Sequence, residues 1–283
     1  MKGLRAFALG LALLPASAAL AQDEAADASD PNTGAMRVTG GVDITSAYFF
    51  RGYLQEDQGL IVQPYVNLYF DVAEGWTAYI GTWNSIHSEQ TGADPGSTGS
   101  WYENDVYAGV DWTINESFTL GAIYTAYTYP GGAFDTVEEL GFKLAWDDTG
   151  KTGLNIALKP YAAIYFETDD DNGTEDTYLE LGIAPTVYTL NEDSDAPIAL
   201  AVPVTFGFGI DDYYFDDEGD DELLGYGSVG LAASMPLNMP DKYGDWTLNG
   251  SVTLLHLFSD GAEAVNNGDD LELIAKLGVS FAY

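Results

Sequence analysis

The sequence predicts an all-β protein: a transmembrane, antiparallel, up-and-down β-barrel of about twelve strands. From Val38 onward, segments of about ten residues alternate apolar with polar or small side chains, which is the two-residue period of a β-strand. Clusters of Gly, Asn and Asp separate these segments, and short connections alternate with long ones, as in membrane-spanning barrels. After the amino terminus, no segment approaches the ~20 apolar residues that a spanning helix needs. In lipid, a closed barrel is the remaining way to satisfy every backbone polar group.

The amino terminus divides the chain into three parts. Two basic residues precede an apolar run over residues 6–14, which is followed by the small-residue site Ala19-Leu20-Ala21. This order predicts that residues 1–21 are a secretory signal peptide. Residues 22–35 are acidic and have no periodicity, so we expect a flexible leader there. Residues 36–283 then form one barrel domain.

Composition excludes several classes of function. The predicted signal peptide holds two of the nine basic residues, which leaves seven against 45 acidic residues. Such a chain repels nucleic acid, because phosphate contacts require Lys and Arg. The absence of cysteine excludes disulfides and thiolate sites. Hydrophobic residues make up 46% of the chain and aromatic residues 13%, which favours a folded core over disorder.

Prolines interrupt the predicted strand pattern. The strands are predicted near residues 38–49, 60–71, 76–86, 104–114, 118–128, 137–146, 154–166, 177–189, 197–210, 223–235, 246–258 and 270–283. Pro64, Pro160, Pro185 and Pro203 fall inside these segments, where each removes a ladder donor and should mark a bulge or an edge. The even count places both termini on the periplasmic rim with the short turns, and the long loops on the extracellular rim.

Periodicity alone does not decide which face meets lipid, because a soluble sandwich has the same alternation. Aromatic residues at the strand ends distinguish a membrane barrel from a soluble sandwich. They cluster near the predicted short-turn rim. They are Trp76, Trp112, Phe118, Trp146, Trp246 and Tyr283. A girdle of this kind is typical of a membrane-spanning barrel, and a sandwich has no reason to build one.

The carboxyl terminus carries a specific motif. In the final eight residues, Lys276, Gly278, Phe281 and Tyr283 occupy the polar, glycine and aromatic places of a pattern that resembles the assembly signal of bacterial outer-membrane barrels. The resemblance implies insertion by the barrel-assembly machinery into the bacterial outer membrane, where lipid and lipopolysaccharide are the partners. The alternative is an ordinary edge strand of a soluble sandwich.

Short motifs in residues 38–130 carry a second resemblance. They are Ser46-Ala-Tyr48 leading to Arg51-Gly52 and Gln55, then Gly81-Thr82-Trp83-Asn84-Ser85, Glu103-Asn-Asp105-Val-Tyr107-Ala-Gly109 and Tyr127-Thr-Tyr129-Pro130. In these motifs the chain resembles the TorF-type family of outer-membrane porins, over about a third of its length. The resemblance implies a barrel of Gram-negative bacteria that passes small solutes, and it supplies no catalytic residue.

Charged residues on the predicted strands take inward parity. The predicted pore-lining set is Arg51, Lys143, Lys159, Lys276, Asp43, Asp111, Glu139, Glu180 and Glu272. A lysine facing lipid near the midplane would cost about 2–4 kcal/mol, so inward sorting is expected of a barrel. Two interpretations stay open: interior ion pairs that brace a narrow barrel, or a charged constriction that selects solutes.

The predicted long loops are rich in carboxylates. A candidate set for Ca²⁺ or Mg²⁺, which could bridge to lipopolysaccharide phosphates, is Asp169, Asp171, Asp216, Asp217 and Asp220. A solvated acidic rim is the favoured alternative, and no resident cofactor is predicted. In either case a negative mouth concentrates cations.

No catalytic pair is predicted. Outer-membrane phospholipases and lipid A deacylases place a His and a Ser two apart on one strand face, but the residue two positions after His87 is Glu89 and the residue two positions after His256 is Phe258. We therefore expect a channel for passive diffusion of small hydrophilic solutes, favouring cations, and not an enzyme. The alternatives are a closed structural or adhesive barrel with cation-binding acidic loops and, less favoured, a lipid-modifying enzyme.

Overall fold

The computed structural model describes residues 35–89, 100–169 and 176–283. The predicted signal peptide and, except for its last residue, the predicted leader therefore lie outside the described residues. The strands are β1 Met36–Thr45, β2 Tyr48–Phe50, β3 Tyr53–Glu56, β4 Ile61–Ala73, β5 Trp76–His87, β6 Trp101–Asn115, β7 Phe118–Thr128, β8 Val137–Trp146, β9 Tyr161–Asp169, β10 Thr177–Ile183, β11 Thr186–Leu190, β12 Ile198–Ala201, β13 Val204–Asp211, β14 Leu224–Leu237, β15 Asp245–Leu257 and β16 Leu271–Ala282. A short helix, α1, spans Asp260–Val265, and a 3₁₀ turn spans Asp241–Tyr243. None of the described helices has the length and apolar character needed to cross a bilayer.

The wall is one antiparallel sheet that closes on itself. Fourteen strands share the sheet; β1 pairs with both β4 and β16, and β15 pairs with both β14 and β16. The pairs β10–β11 and β12–β13 are halves of interrupted strands, since β12 and β13 both pair with β14. The barrel therefore has twelve wall strands, and the predicted fold class is confirmed.

Prolines account for the interruptions. Pro185 separates β10 from β11 and Pro203 separates β12 from β13, yet both carbonyls still accept bonds, from Val202 N–H at 3.0 Å and Gly230 N–H at 2.9 Å. Pro160 stands just before β9, so the strand predicted over 154–166 begins at Tyr161. Proline lacks the N–H that a ladder requires, which explains each break.

The carboxyl terminus closes the barrel. Val38 and Tyr283 exchange two backbone hydrogen bonds, at 2.7 and 2.8 Å, so the last residue is paired to the first strand. Gly278 lies opposite Asp43 in the β1–β16 register. A Cβ atom at Gly278 would collide with the Asp43 carboxylate, so only glycine permits this close approach at the seam.

The exterior of the wall is apolar. Leu273, Leu277 and Leu231 are 65%, 59% and 55% exposed, whereas tyrosines and carboxylates fill the buried interior. A continuous apolar exterior around a charged interior is stable in lipid and not in water. The orientation is that of a bacterial outer-membrane barrel, in which the oily faces meet hydrocarbon.

Stacked aromatic pairs mark the rim that carries the short turns, the start of β1 and the end of β16. Trp76 stacks on Trp112 with ring centroids 5.4 Å apart, and Phe118 stacks on Trp146 at 5.8 Å. Such rings suit the boundary between hydrocarbon and headgroups. We call this edge the short-turn rim and the opposite edge the loop rim.

A hairpin over Tyr48–Glu56 folds into the lumen. The sequence predicted its first residues as the end of the first wall strand, near 38–49, and the rest as a long outer loop. Strands β2 and β3 pair with each other in their own two-stranded sheet, and their residues are largely buried. The turn between them is made by Arg51 and Gly52, with φ of 44° and 87°. Two successive positive φ values define the tight turn that matches strand twist in hairpins, and glycine accepts this conformation readily.

Candidate functional site

Arg51, at the tip of this hairpin, is clamped to the barrel wall. Its Nη1 and Nη2 donate to Oε1 and Oε2 of Glu139 on β8 at 2.8 and 2.9 Å. The side chains are 1% and 5% exposed. A two-pronged, charge-assisted pair of this kind fixes orientation as well as distance. It therefore couples the hairpin to the wall.

Aromatic rings surround the guanidinium group. Its Cζ lies 4.1 Å from the ring centroid of Tyr178 and 4.6 Å from that of Tyr165. The hydroxyl of Tyr127 donates to Glu139 Oε2 at 2.9 Å, and Arg51 Nη1 lies 3.2 Å from the hydroxyl of Tyr213. We call this set the cage: Glu139, Tyr127, Tyr165, Tyr178 and Tyr213. The cage binds the planar guanidinium group by hydrogen bonds at the edge of that group and by aromatic rings over its faces.

The connection between β13 and β14 completes the closure. Tyr214 donates its hydroxyl to the Arg51 carbonyl at 2.7 Å, and Tyr53 donates to the Tyr213 carbonyl at 3.0 Å. The rings of Tyr53 and Tyr214 stack at 5.6 Å. We call the hairpin Tyr48–Glu56, together with Tyr213 and Tyr214, the plug. Its side chains fill the lumen near the loop rim.

A second buried carboxylate lies beside the cage. Glu180 accepts hydrogen bonds from the hydroxyls of Tyr161 at 2.8 Å and Tyr178 at 3.0 Å, and Tyr226 contributes a third at 3.3 Å. Glu180 is fully buried. Three tyrosine hydroxyl groups therefore donate to this buried carboxyl group, which satisfies its acceptor oxygens.

A cavity of about 270 Å³ lies along one side of the lumen. It extends from Arg51 and Gly52 of the plug to Gly278. Small residues of β14, β15 and β16 line it, whereas large inward-facing tyrosines occupy the side formed by β4 to β9. Its polar lining includes Gln63, Ser251, Thr253, Asn249, Asp43 and Lys276. The free space in the lumen therefore has both polar and apolar residues on its wall and is bounded at one end by the plug.

The structure places the predicted pore-lining charges in different settings. Lys276 Nζ lies 3.9 Å from Asp43 beside the cavity, and Lys143 Nζ lies 4.4 Å from the Tyr161 ring. Asp111 sits over Gly121 inside the wall, and Glu272 accepts from Asn266 at 3.2 Å.

Lys159 differs from its prediction. It lies in the connection before β9, with φ of 50°, and its backbone N–H donates to Asp148 Oδ1 at 2.8 Å. It is therefore a rim residue at the end of a connection. The reason is local: Pro160 delays the start of the strand.

The acidic loops arrange differently from the predicted metal set. Asp171 and the side chain of Asp169 lie outside the described residues. Asp216 Oδ1 accepts the N–H groups of Glu218 and Asp220, both at 2.9 Å, and so stabilises its own turn. Asp217 is an exposed residue of this turn.

Among the described residues, three exposed carboxylates come within ligand distance of one another, those of Asp211, Asp212 and Asp221. Desolvation, followed by the charges of Asp212 and Asp211, raises the pKa of the Asp221 carboxyl. The neighbouring like charges disfavour the ionised form of Asp221.

The sequence analysis missed one pair of residues that could take part in catalysis. Ser85 Oγ lies 2.8 Å from His87 Nε2, and both side chains are buried on the inward face of β5. Glu56 of the plug places Oε2 3.9 Å from His87 Nδ1. The motif Ser85-Ile86-His87 was visible in the sequence, because period 2 brings residues together in either direction along a strand. The sequence analysis paired each histidine with the residue two positions after it, whereas Ser85 lies two positions before His87.

His256, the second histidine, is stacked on Phe258 at 4.5 Å and lies 3.9 Å from Asp270. Its side chain is half exposed. This agrees with a position at the interface rather than in the lumen.

Comparison with known proteins gives a family and a set of similar folds. Residues 27–194, more than half of the chain, match the model of a family described as "Bacterial protein of unknown function (Gcw_chp)". No curated protein matches the chain.

Three solved structures with similar folds are 16% identical or less. A NanC porin is 16% identical, with 87% of this chain and 99% of that chain covered and a TM-score of 0.45. An outer-membrane channel from Pseudomonas putida F1 is 10% identical over 92% and 100%, with a TM-score of 0.44. LpxR from Salmonella typhimurium is 8% identical over 86% and 99%, with a TM-score of 0.46. Likeness at this level concerns the fold alone. The match over residues 27–194 makes this chain a member of the Gcw_chp family of bacterial proteins of unknown function.

Proposed function

We propose that this protein is an outer-membrane channel for small hydrophilic solutes, closed by the plug in the conformation described. The observation that carries the proposal is the separation of plug from wall. In the described part of the chain, β2 and β3 pair with each other, while β1 pairs directly with β4. The hairpin can therefore leave the lumen without breaking the β1–β4 ladder. It must break side-chain hydrogen bonds to the wall, such as those from Arg51 to Glu139 and from Tyr48 to Glu103. The resemblance of the first half of the sequence to the TorF-type porins supports the same function.

Charge supports a preference for cations. Buried carboxylates near the plug outnumber the buried cations, because Arg51 is the only buried Lys or Arg among the described residues. The carboxylates are Glu56, Glu139 and Glu180. A lumen with this surplus attracts cations and slows anions, and the acidic loops act in the same direction.

Liposome swelling tests the proposal. Thr45 and Ile61 are register partners, so a short turn can replace residues 46–60 and remove the hairpin while the wall ladder stays paired. We expect this hairpin-shortened variant to admit small amino acids and sugars much faster than the wild type. An Arg37→Ala variant, altered at an exposed residue of the short-turn rim, should behave like the wild type. A hairpin-shortened barrel that is folded but impermeable would refute the channel and favour a closed structural barrel.

A second candidate function, an esterase or lipid-modifying enzyme, is favoured by the Ser85–His87 contact at 2.8 Å. A serine hydroxyl bound to a histidine is the starting arrangement for nucleophilic catalysis. It ranks second because Ser85 and His87 are buried beneath the hairpin. A fluorophosphonate probe that labels the wild type and not Ser85→Ala would favour this function, and an unlabelled wild type would exclude it.

A further inference from the structure

The cage is a guanidinium-binding site that the chain fills with its own arginine. Glu139, Tyr127, Tyr165 and Tyr178 belong to wall strands, and Tyr213 belongs to the β13–β14 connection. The hairpin contributes Arg51 and the ring of Phe50, whose centroid is 4.9 Å from the guanidinium carbon. When the hairpin leaves, most of the site therefore stays in place.

An emptied cage would lack its charge partner. Glu139 accepts from Tyr127 and from both terminal nitrogens of Arg51. Without Arg51, this buried carboxylate would keep the Tyr127 hydroxyl as its hydrogen-bond donor. Leaving one member of a buried ion pair uncompensated is strongly unfavourable. The empty site therefore favours a cation.

The geometry selects a guanidinium group over an ammonium group. Two parallel N–H groups meet the two oxygens of Glu139 at 2.8 and 2.9 Å, which is a fork that only a planar guanidinium supplies. The rings of Tyr178 and Tyr165 lie 4.1 and 4.6 Å from its carbon, a distance at which a flat, weakly hydrated cation interacts well. An ammonium is a compact, strongly hydrated charge and matches neither feature.

We propose that the cage binds small solutes that carry a guanidinium group, and that Arg51 is a built-in occupant which such a solute replaces. The inference rests on the proposed function only for its consequence, that replacement releases the plug. The solute class follows from the cage alone.

Chemical rescue of Arg51→Ala tests the cage. Methylguanidine at millimolar concentration should raise the melting temperature of Arg51→Ala in detergent micelles, because a ligand that binds the folded state stabilises it. Methylammonium at the same concentration should give no comparable rise. The double variant Arg51→Ala/Glu139→Gln should not respond to methylguanidine. An equal response to both cations, an equal response of the double variant, or no response of a folded Arg51→Ala would overturn the proposal.

A second measurement covers the case in which Arg51→Ala does not fold. The hairpin-shortened variant also lacks Arg51, and its binding of methylguanidine can be followed by titration calorimetry. Saturable binding that is lost with Glu139→Gln supports the cage, and its absence overturns it. Swelling of liposomes by the same variant reports on the channel, so the two ideas fail separately.

Discussion

Replacing Glu139 by Gln should loosen the hairpin while leaving the wall intact. The change keeps the shape of the side chain and removes the charge that faces Arg51 at 2.8 Å. Because β2 and β3 share no ladder with the wall strands in the described structure, the lost energy should appear as local opening of residues 46–60 and not as unfolding of the barrel.

The size of the effect follows from burial. Arg51 and Glu139 are 1% and 5% exposed, and removing one partner of a buried pair costs about 3–5 kcal/mol. The tyrosine rings stay over the guanidinium group, and a glutamine oxygen still accepts one bond, so we expect the lower end, about 3 kcal/mol. Since about 1.4 kcal/mol is a factor of ten, the open population should rise about 100-fold.

Hydrogen exchange measured by mass spectrometry in micelles is the assay. Amides of the hairpin should exchange about 100-fold faster in Glu139→Gln, with wall strands such as β6 and β7 unchanged. Removing the second charge as well, in Arg51→Met/Glu139→Gln, should restore much of the protection, because two neutral groups carry no unpaired buried charge.

Arg37→Ala is the matched control. Arg37 and Asp71 also form an ion pair, at 3.1 Å, but their side chains are 47% and 46% exposed, so the pair contributes at most about 1 kcal/mol. Hairpin exchange should not change in this variant. An increase below tenfold in Glu139→Gln, or an equal increase in both variants, would refute the reasoning about the buried pair.

Three further predictions concern the barrel. Gly278→Ala should impair barrel closure and lower the yield of assembled protein, because its Cβ would collide with the Asp43 carboxylate. The control Gly250→Ala should assemble normally, since the nearest neighbour of its Cβ would lie 3.8 Å away. Heat-modifiable migration on gels measures the assembled fraction of both variants. Leu277 faces outward and is 59% exposed, so Leu277→Lys should lower the unfolding free energy in bilayers by about 2–4 kcal/mol. Ser251→Lys, beside the cavity, should lower it clearly less. Equal losses in a urea titration in vesicles would contradict the assigned orientation. Tyr127→Phe removes one donor to Glu139 at 2.9 Å and should cost about 1–3 kcal/mol in the same titration, and no measurable loss would count against the described hydrogen bond.

The wall could be predicted from the sequence because the side chains of a strand point alternately to its two faces. Alternation places Leu273 and Leu277 on the lipid face and Lys276 on the lumen face whatever the rest of the chain does. The strand boundaries that the sequence predicted wrongly lie at prolines. Pro160 shifted one strand start, and Pro185 and Pro203 divided two strands, because a missing donor interrupts a ladder that alternation alone cannot resolve.

The plug could not be predicted in the same way. Residues 46–60 fall between two wall strands, and the pattern of Tyr48 to Glu56 is too short to show a hairpin. What places the hairpin inward is the contact between Arg51 and Glu139, which are 88 residues apart in the chain. Parity put both Arg51 and Glu139 on the lumen side, but it gives no information on which inward residues contact one another across the lumen. The Ser85–His87 contact, by contrast, was readable, because both residues belong to one strand.

Planar-bilayer recording of the wild type beside the hairpin-shortened variant tests the central claim most directly, that a removable plug closes a polar lumen. We expect the wild type to stay closed for most of the record and the variant to conduct continuously, with a cation preference that weakens as salt rises. Equal, continuous conductance of the two proteins would contradict closure by the plug, and a silent variant would contradict the lumen as a path.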